Sequence, residues 1–259
     1  MKTTKVINYI VKWLKNYADK SGLKGFVVGV SGGIDSAVTS SLCAKTNKKV
    51  IVLNMPIYKI KKQESLSLKH IAWLKKKYKN VKSFNIELTK VFKALKTVLP
   101  YDIQDKLTIA NTHSRLRMLT LYAFASHNKM LVTGTGNKIE DFGIGFYTKY
   151  GDGGVDISPI ADIMKLEVYK LGKQLGIIDD ILQAPPTDGL WEDGRSDETQ
   201  IGATYKELEW AMEFNSDNES SLNSRQKKVL SIYRKFNQAN KHKMKPIPIC
   251  TIPRKLMVL

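Results

Sequence analysis

The chain has 259 residues, 42% hydrophobic and 25% charged, with a formal net charge of +18, and that length can bury a sizeable core as one domain or one domain with an appendage. No apolar run approaches the ~20 residues of a membrane span, and the N-terminus is too polar for a secretory signal; Cys43 and Cys250 are too far apart to suggest a redox or metal pair, so a reducing, cytoplasmic setting is expected. The excess charge is lysine spread along the chain, with arginine only at 115, 117, 195, 225, 234 and 254, which reads as a solvated surface rather than a nucleic-acid footprint.

Ile7, Ile10, Val11 and Leu14 follow helical spacing and predict a first helix, with Thr3 or Thr4 as its cap and Ser21-Gly22 as its end. Phe26 to Val30 is a short β-branched run that predicts a buried strand. It breaks at Ser31-Gly32-Gly33, and a helix carrying small and polar groups follows from Asp35. Lys49 to Leu53 is a second buried strand, halted by Pro56. A lysine-rich helix is expected over 61–79, where Leu68, Ile71, Leu74 and Tyr78 recur at helical spacing and lysines from Lys59 to Lys82 form the outer face. Val81 to Ile86 is a more polar third strand, Glu87 to Leu99 a helix stopped by Pro100, and 104–127 a long helix with Asn111, Arg115, Met118 and Tyr122 on one face. Met130-Leu131-Val132 is a fourth strand.

Residues 133–160 are glycine-rich with little expected structure of their own, a pattern usually tied to function. Beyond them come a helix over 165–175, a Pro185-Pro186-Thr187 turn, an acidic loop to Glu198, helices near 199–212 and 219–236, and a basic tail at Lys241-His242-Lys243. Strands alternating with helices over one domain, 1–259, predict a Rossmann-like parallel sheet with helices on both faces and extra C-terminal helices. Such a sheet binds ligand at the carboxyl ends of its strands, where the Ser-Gly-Gly turn lies.

A strand feeding a glycine turn and a helix N-terminus is suited to phosphate. Unpaired N–H groups point outward and the helix end carries roughly +0.5 charge, while Gly32 and Gly33 let backbone approach an anion. Neither G-x-x-x-x-G-K-[ST] nor G-x-G-x-x-G is present. Ser-Gly-Gly-Ile-Asp-Ser instead resembles the pyrophosphate loop of ATP pyrophosphatases, which cleave ATP between its α and β phosphates to adenylate a substrate.

Later motifs narrow the resemblance. Thr135 and Glu140 in Gly-Thr-Gly-Asn-Lys-Ile-Glu, the run Lys149 to Asp156, Thr187 with Ser196-Asp197-Glu198, and His242-Lys243 follow the loop in order, and together they look like the ammonia-dependent NAD synthetases. Two elements depart from that pattern. Gly136 stands where a serine or acidic residue is expected, and Asp193-Gly194-Arg195 replaces a Gly-Gln element. The resemblance implies an adenine-nucleotide α-hydrolase-like fold. It also implies ATP-dependent amidation of deamido-NAD by ammonia through an acyl adenylate, with AMP and pyrophosphate released. It further implies ATP contacts from Gly29, Val30, Ser31, Gly32, Gly33, Ile34, Asp35, Ser36, Thr135, Lys165 and Thr187, and a Mg²⁺ ion on Asp35 and Glu140, with Asp35, Glu140 and Lys165 catalytic. Deamido-NAD contacts fall to Arg115, Lys149, Asp156, His242 and Lys243, at the interface of a homodimer. No glutaminase is expected, since neither cysteine sits as a nucleophile beside a candidate base. Two rivals stay open: a same-fold adenylating enzyme acting on tRNA, favoured by the charge, and a regulatory module that holds ATP without turnover.

Overall fold

In the computed structural model of this chain, which describes residues 1–58, 61–187, 196–215 and 219–257 with backbone alone for 61–64, the apolar run before the Ser-Gly-Gly turn is an interior strand. β1 (Gly25–Gly29) lies between β2 (Lys49–Asn54) and β4 (Leu131–Val132), and β3 (Val81–Asn85) borders β2. All three pairings are parallel. Side chains alternate across the sheet, so Phe26 and Val28 enter one core and Val27 the other, each fully buried. The first core is closed by α1 (Thr3–Lys20), α2 (Ile34–Lys45), α3 (Lys61–Lys77), which supplies Ile71 and Leu74, and α6 (Lys165–Leu175); the second by α4 (Thr89–Val98) and α5 (Lys106–Asn128). Helices on both faces of a parallel sheet are the architecture expected from the strand–helix alternation.

The C-terminal helices and a mid-chain turn build a separate core around Ile139, Ile144, Tyr205, Leu208 and Leu230. It joins a π-helical turn, Ile139–Ile144, to α8 (Asp197–Ile201), α9 (Tyr205–Glu213) and α10 (Ser224–Met244), after the short α7 (Asp179–Leu182). One close approach ties α6 to α2. A Cβ on Gly172 would come within 2.7 Å of Ile34 Cδ1, so glycine lets α6 lie close along α2 and brings their N-termini together.

Local expectations and the structure differ in places. The residue before α1 is Lys2 and no side chain caps the helix, because Thr3 and Thr4 are already helical. The expected 199–212 helix breaks at Gly202, whose φ of +85° ends α8, and α9 restarts on a Thr204–Glu207 capping box. The last helix starts later, on an Asn223 cap, and carries His242 and Lys243 inside its final turn rather than on a tail. Leu68 is exposed while Ile71 and Leu74 are buried. The 133–160 stretch is less open than expected, since it contains the π-turn. Lys59 and the side chains of Lys61 and Lys62 lie outside the described residues, as does most of the acidic loop, 188–195.

Between α2 and α3, His70 is fully buried, with Nε2 3.0 Å from Ser40 Oγ and its ring stacked on Trp73. Nδ1 has no partner among the described residues, and burial pushes the imidazole from 6.5 down to about 4. As pH falls the unfolded chain takes up this proton first. The contribution is therefore complete above about 6.5 and is lost as pH falls towards 4. Urea unfolding at pH 7 and pH 4.5 should show His70→Gln losing less stability than the parent, by on the order of 2–3 kcal/mol. Parallel pH dependence in both proteins would refute it.

Candidate active site

Two serine hydroxyls shape the loop after β1. Ser36 Oγ accepts from Ser31 N–H at 3.2 Å and donates to Gly33 carbonyl at 2.9 Å, and Ser31 Oγ accepts from Gly33 N–H at 3.3 Å. Gly32 takes a φ of +91°, a left-handed conformation that favours glycine. Gly33 is in extended geometry as the residue that starts α2, so of the two it is Gly32 that the turn requires. The serine bonds occupy the N–H groups of Ser31 and Gly33. Those of Gly32, Ile34, Asp35 and Ser36 make no hydrogen bond among the described residues, and they lie at the positive end of α2, where an anion is favoured.

Beside this loop sits a single ammonium with two carboxylates. Lys165 Nζ is 2.5 Å from Asp35 Oδ2 and 2.9 Å from Glu140 Oε1, with the lysine side chain 3% exposed and the acids 16% and 18%. Asp35 comes from the first turn of α2, Glu140 from the π-turn and Lys165 from the first position of α6. Asn137 Nδ2 donates to Asp35 at 3.1 Å, and the Tyr205 hydroxyl donates to Glu140 at 2.6 Å. Burial acts against the Lys165 charge, but the two carboxylates outweigh it and hold the ammonium above the usual lysine range. Burial is the largest influence on Asp35 and leaves it raised. At Glu140 the same burial is outweighed by the Lys165 charge and the Tyr205 hydrogen bond, which hold it low.

Loop and ion group open into one cavity of about 310 Å³. Gly29, Val30, Ser31, Gly32, Gly33, Ile34, Asp35, Ser36, Thr135, Glu140, Lys165 and Thr187 all line it, so the structure brings together every residue expected at ATP or metal. Two oxygen donors already converging on one cation suit Mg²⁺, which takes one or two carboxylates and completes its shell with phosphate and water.

Three features of the site were missed in the sequence. Buried Asn137 and Tyr205 orient the two carboxylates; Asn137 sat inside the Gly-Thr-Gly-Asn motif, whereas Tyr205 left no local signal. Gly136 is explained by the third. A Cβ there would overlap the Asp141 carboxylate, so the space beside Gly136, where a serine or acidic residue is expected, is filled by Asp141. Burial, reinforced by the charges of Glu140, Asp152 and Asp35, pushes Asp141 up to about 8.

The second set of expected residues lies outside that cavity. Arg115 Nη2 donates to Lys149 carbonyl at 3.4 Å, Lys149 Nζ to His242 carbonyl at 3.0 Å, and Lys243 Nζ to the carbonyls of Gly145 and Tyr147, both at 2.7 Å. These four form one basic cluster. Asp156 is elsewhere, with its carboxylate accepting from Tyr122 Oη at 3.0 Å and Val132 N–H at 2.8 Å. A smaller cavity of about 170 Å³, which Lys243 and Asp141 line, adjoins the first.

Known proteins resemble this chain in both sequence and fold. The family profile described as NAD synthase matches residues 6–247. The NH(3)-dependent NAD(+) synthetase of Mycoplasma genitalium is 41% identical over 214 residues, 80% of this chain and 83% of that protein. Among solved structures, the NMN synthetase of Francisella tularensis is 30% identical with a TM-score of 0.86, covering 97% of this chain and 100% of its own. The NH3-dependent NAD synthetase of Campylobacter jejuni, at 24% identity and a TM-score of 0.78 over 97% of this chain and all of its own, shares the fold.

Lys165→Met strips the buried carboxylates of their counter-charge and should destabilise the fold at neutral pH by about 3–5 kcal/mol. Both acids are then raised in the folded state, so the variant should recover stability as pH falls from 7 to 5. Urea midpoints across that range measure both effects, and a variant as stable as its parent at pH 7 would contradict the ion group's role.

Proposed function

This chain belongs to the NAD synthase family, and we propose that the cavity beside α2 is where its reaction runs. The protein is a ligase that converts deamido-NAD, ATP and ammonia to NAD. A nicotinate carboxylate oxygen attacks the α-phosphorus of ATP, the bond to the bridging α–β oxygen breaks, and pyrophosphate departs with that electron pair. Ammonia then adds to the acyl-adenylate carbon, loses a proton, and AMP leaves with the former carboxylate oxygen. Adenylation is needed because a carboxylate is a poor electrophile.

The observation that carries the site assignment is the convergence of the Ser31–Ser36 turn with Asp35, Glu140 and Lys165 on one cavity. In our reading the N–H groups of Gly32, Ile34 and Asp35 receive the departing pyrophosphate, each worth on the order of 3 kcal/mol if it acts as an oxyanion-hole donor does. Asp35 and Glu140 hold Mg²⁺, which supplies Lewis-acid neutralisation of the phosphate charge. Lys165, a charged group at a helix N-terminus, turns from the carboxylates to the phosphates when the nucleotide enters. Thr135 and Thr187 line the nucleotide's path. The lysine-rich surface draws both polyanionic substrates inward.

The basic cluster of Arg115, Lys149, His242 and Lys243 we assign to deamido-NAD held between two copies of the chain, with Asp156 contributing from the other side. Exposed apolar side chains support the homodimer: Val98, Tyr101, Leu107 and Leu119, on α4, α5 and their connection, are 62–93% exposed. Among the described residues no helix is long and apolar enough to cross a membrane; a cytoplasmic location and a single domain over 1–259 complete the reading. The family placement sets aside the tRNA-directed and non-catalytic rivals.

The test is incubation with ATP, Mg²⁺, deamido-NAD and ammonium chloride, followed by chromatography for NAD and AMP. Asp35→Asn and Glu140→Gln should each lower turnover at least ~100-fold, beyond what loss of an outer-shell partner costs. Full activity in both would remove the metal assignment. Because of the likeness to an NMN synthetase, nicotinate mononucleotide is the comparison substrate. A kcat/KM tenfold higher for it would replace deamido-NAD in the reading.

A further inference from the structure

Tyr205 opens α9 and is 3% exposed, yet its side chain ends in the ion group. Its hydroxyl lies 2.6 Å from Glu140 Oε1 and 3.2 Å from Asp197 Oδ2, its ring centroid is 4.8 Å from Lys165 Nζ, and its backbone N–H donates to Glu198 Oε1 at 2.9 Å. One residue thus touches the ammonium, one of its two carboxylates and both acids that open α8. A phenol has one proton to donate, and the shorter contact commits it to Glu140.

Each carboxylate of the ion group therefore has a neutral donor besides the lysine: Asn137 for Asp35, Tyr205 for Glu140. Lys165 cannot neutralise the carboxylates and the phosphates at once. When it leaves, Asp35 is a short side chain still anchored by Asn137, whereas Glu140 has one more rotatable bond to restrain, and its short hydrogen bond from Tyr205 remains. We propose that Tyr205 is the positioning residue that holds the Glu140 carboxylate in place through that exchange, so that it meets the cation accompanying ATP already oriented, while the ring gives the lysine a stabilising face to move across. The proposal rests on the assignment of Glu140 to the metal. It assigns no proton transfer to Tyr205. It also makes the start of α8 part of the same unit, through Asp197 and Glu198.

Tyr205→Phe keeps the ring and removes the donor. Mn²⁺ binding can be followed by electron paramagnetic resonance in the presence of an ATP analogue with a methylene between its α and β phosphates, a measurement independent of turnover. The variant should bind Mn²⁺ ~10-fold more weakly, need correspondingly more Mg²⁺ for half-maximal rate, and regain most of its kcat when Mg²⁺ is raised. Its KM for deamido-NAD should stay within about twofold. A purely structural role would instead move the thermal midpoint and every KM together and would not respond to Mg²⁺. Unchanged Mn²⁺ affinity in Tyr205→Phe, with Glu140→Gln binding weakly, overturns the proposal alone. Unchanged affinity in both overturns the assignment of Glu140 as well. Should Tyr205→Phe not fold, Tyr205→Gln and Tyr205→Met pose the same question at similar volume. The donor-bearing Gln variant is then expected to bind Mn²⁺ the more tightly, and equal affinities refute the proposal.

Discussion

The site depends on one electrostatic arrangement, a lysine ammonium enclosed between two carboxylates at the mouth of a phosphate-suited turn. Lys165 stands at the first position of α6, where the helix end is itself positive and a cation is disfavoured. Glu167 in the same turn, which folds back onto the N–H of Met164, offsets part of that field. Asp35 and Glu140 supply the rest. Taking three charges out of water is expensive, and a buried ion pair is weak evidence for stability by itself. The arrangement is better understood as charges kept ready for a ligand. The carboxylates want a cation and the lysine an anion, and in the function proposed above a nucleotide with its metal would satisfy both in one step.

The remainder of the fold keeps the three donors of that group in register. Gly172 lets α6 approach α2, which brings Lys165 to Asp35. Glu140 is harder to place because a π-turn leaves carbonyls without helical partners at its end. α10 meets them with side chains three residues apart: Asn237 donates to Gly143, Asn240 to Ile144 and Lys243 to Gly145. Gly145 is left-handed, and a Cβ there would overlap Asn240. The C-terminal helices are thus the clamp that holds the π-turn, and with it Glu140, against the sheet domain.

Much of the site was legible before the fold, for a local reason. A turn between a strand and a helix is encoded by contiguous residues, so Ser31 to Ser36 could be recognised from small side chains after a β-branched run; Glu140 came within its own motif, and Lys165 only through the family resemblance. Tyr205 and Asp141 were not legible. Tyr205 reaches Glu140 across 65 positions, and among the tyrosines of this chain nothing in spacing or flanking residues marks it. Asp141 gains its meaning from the space left by Gly136, a relation between a missing side chain and a present one.

The sequence by itself determined the alternating α/β order, the parallel sheet, the phosphate-suited turn and the family, because periodicity, turn chemistry and contiguous motifs act over a few residues. Tertiary structure alone decided that Lys165 neutralises both Asp35 and Glu140, that Ser31 and Gly33 use their N–H groups internally, and that Arg115, Lys149 and His242 lie outside the cavity beside α2. The reason is physical. Coulomb interactions, hydrogen bonds and burial depend on distance in space and on excluded water, and neither quantity exists until distant segments have packed.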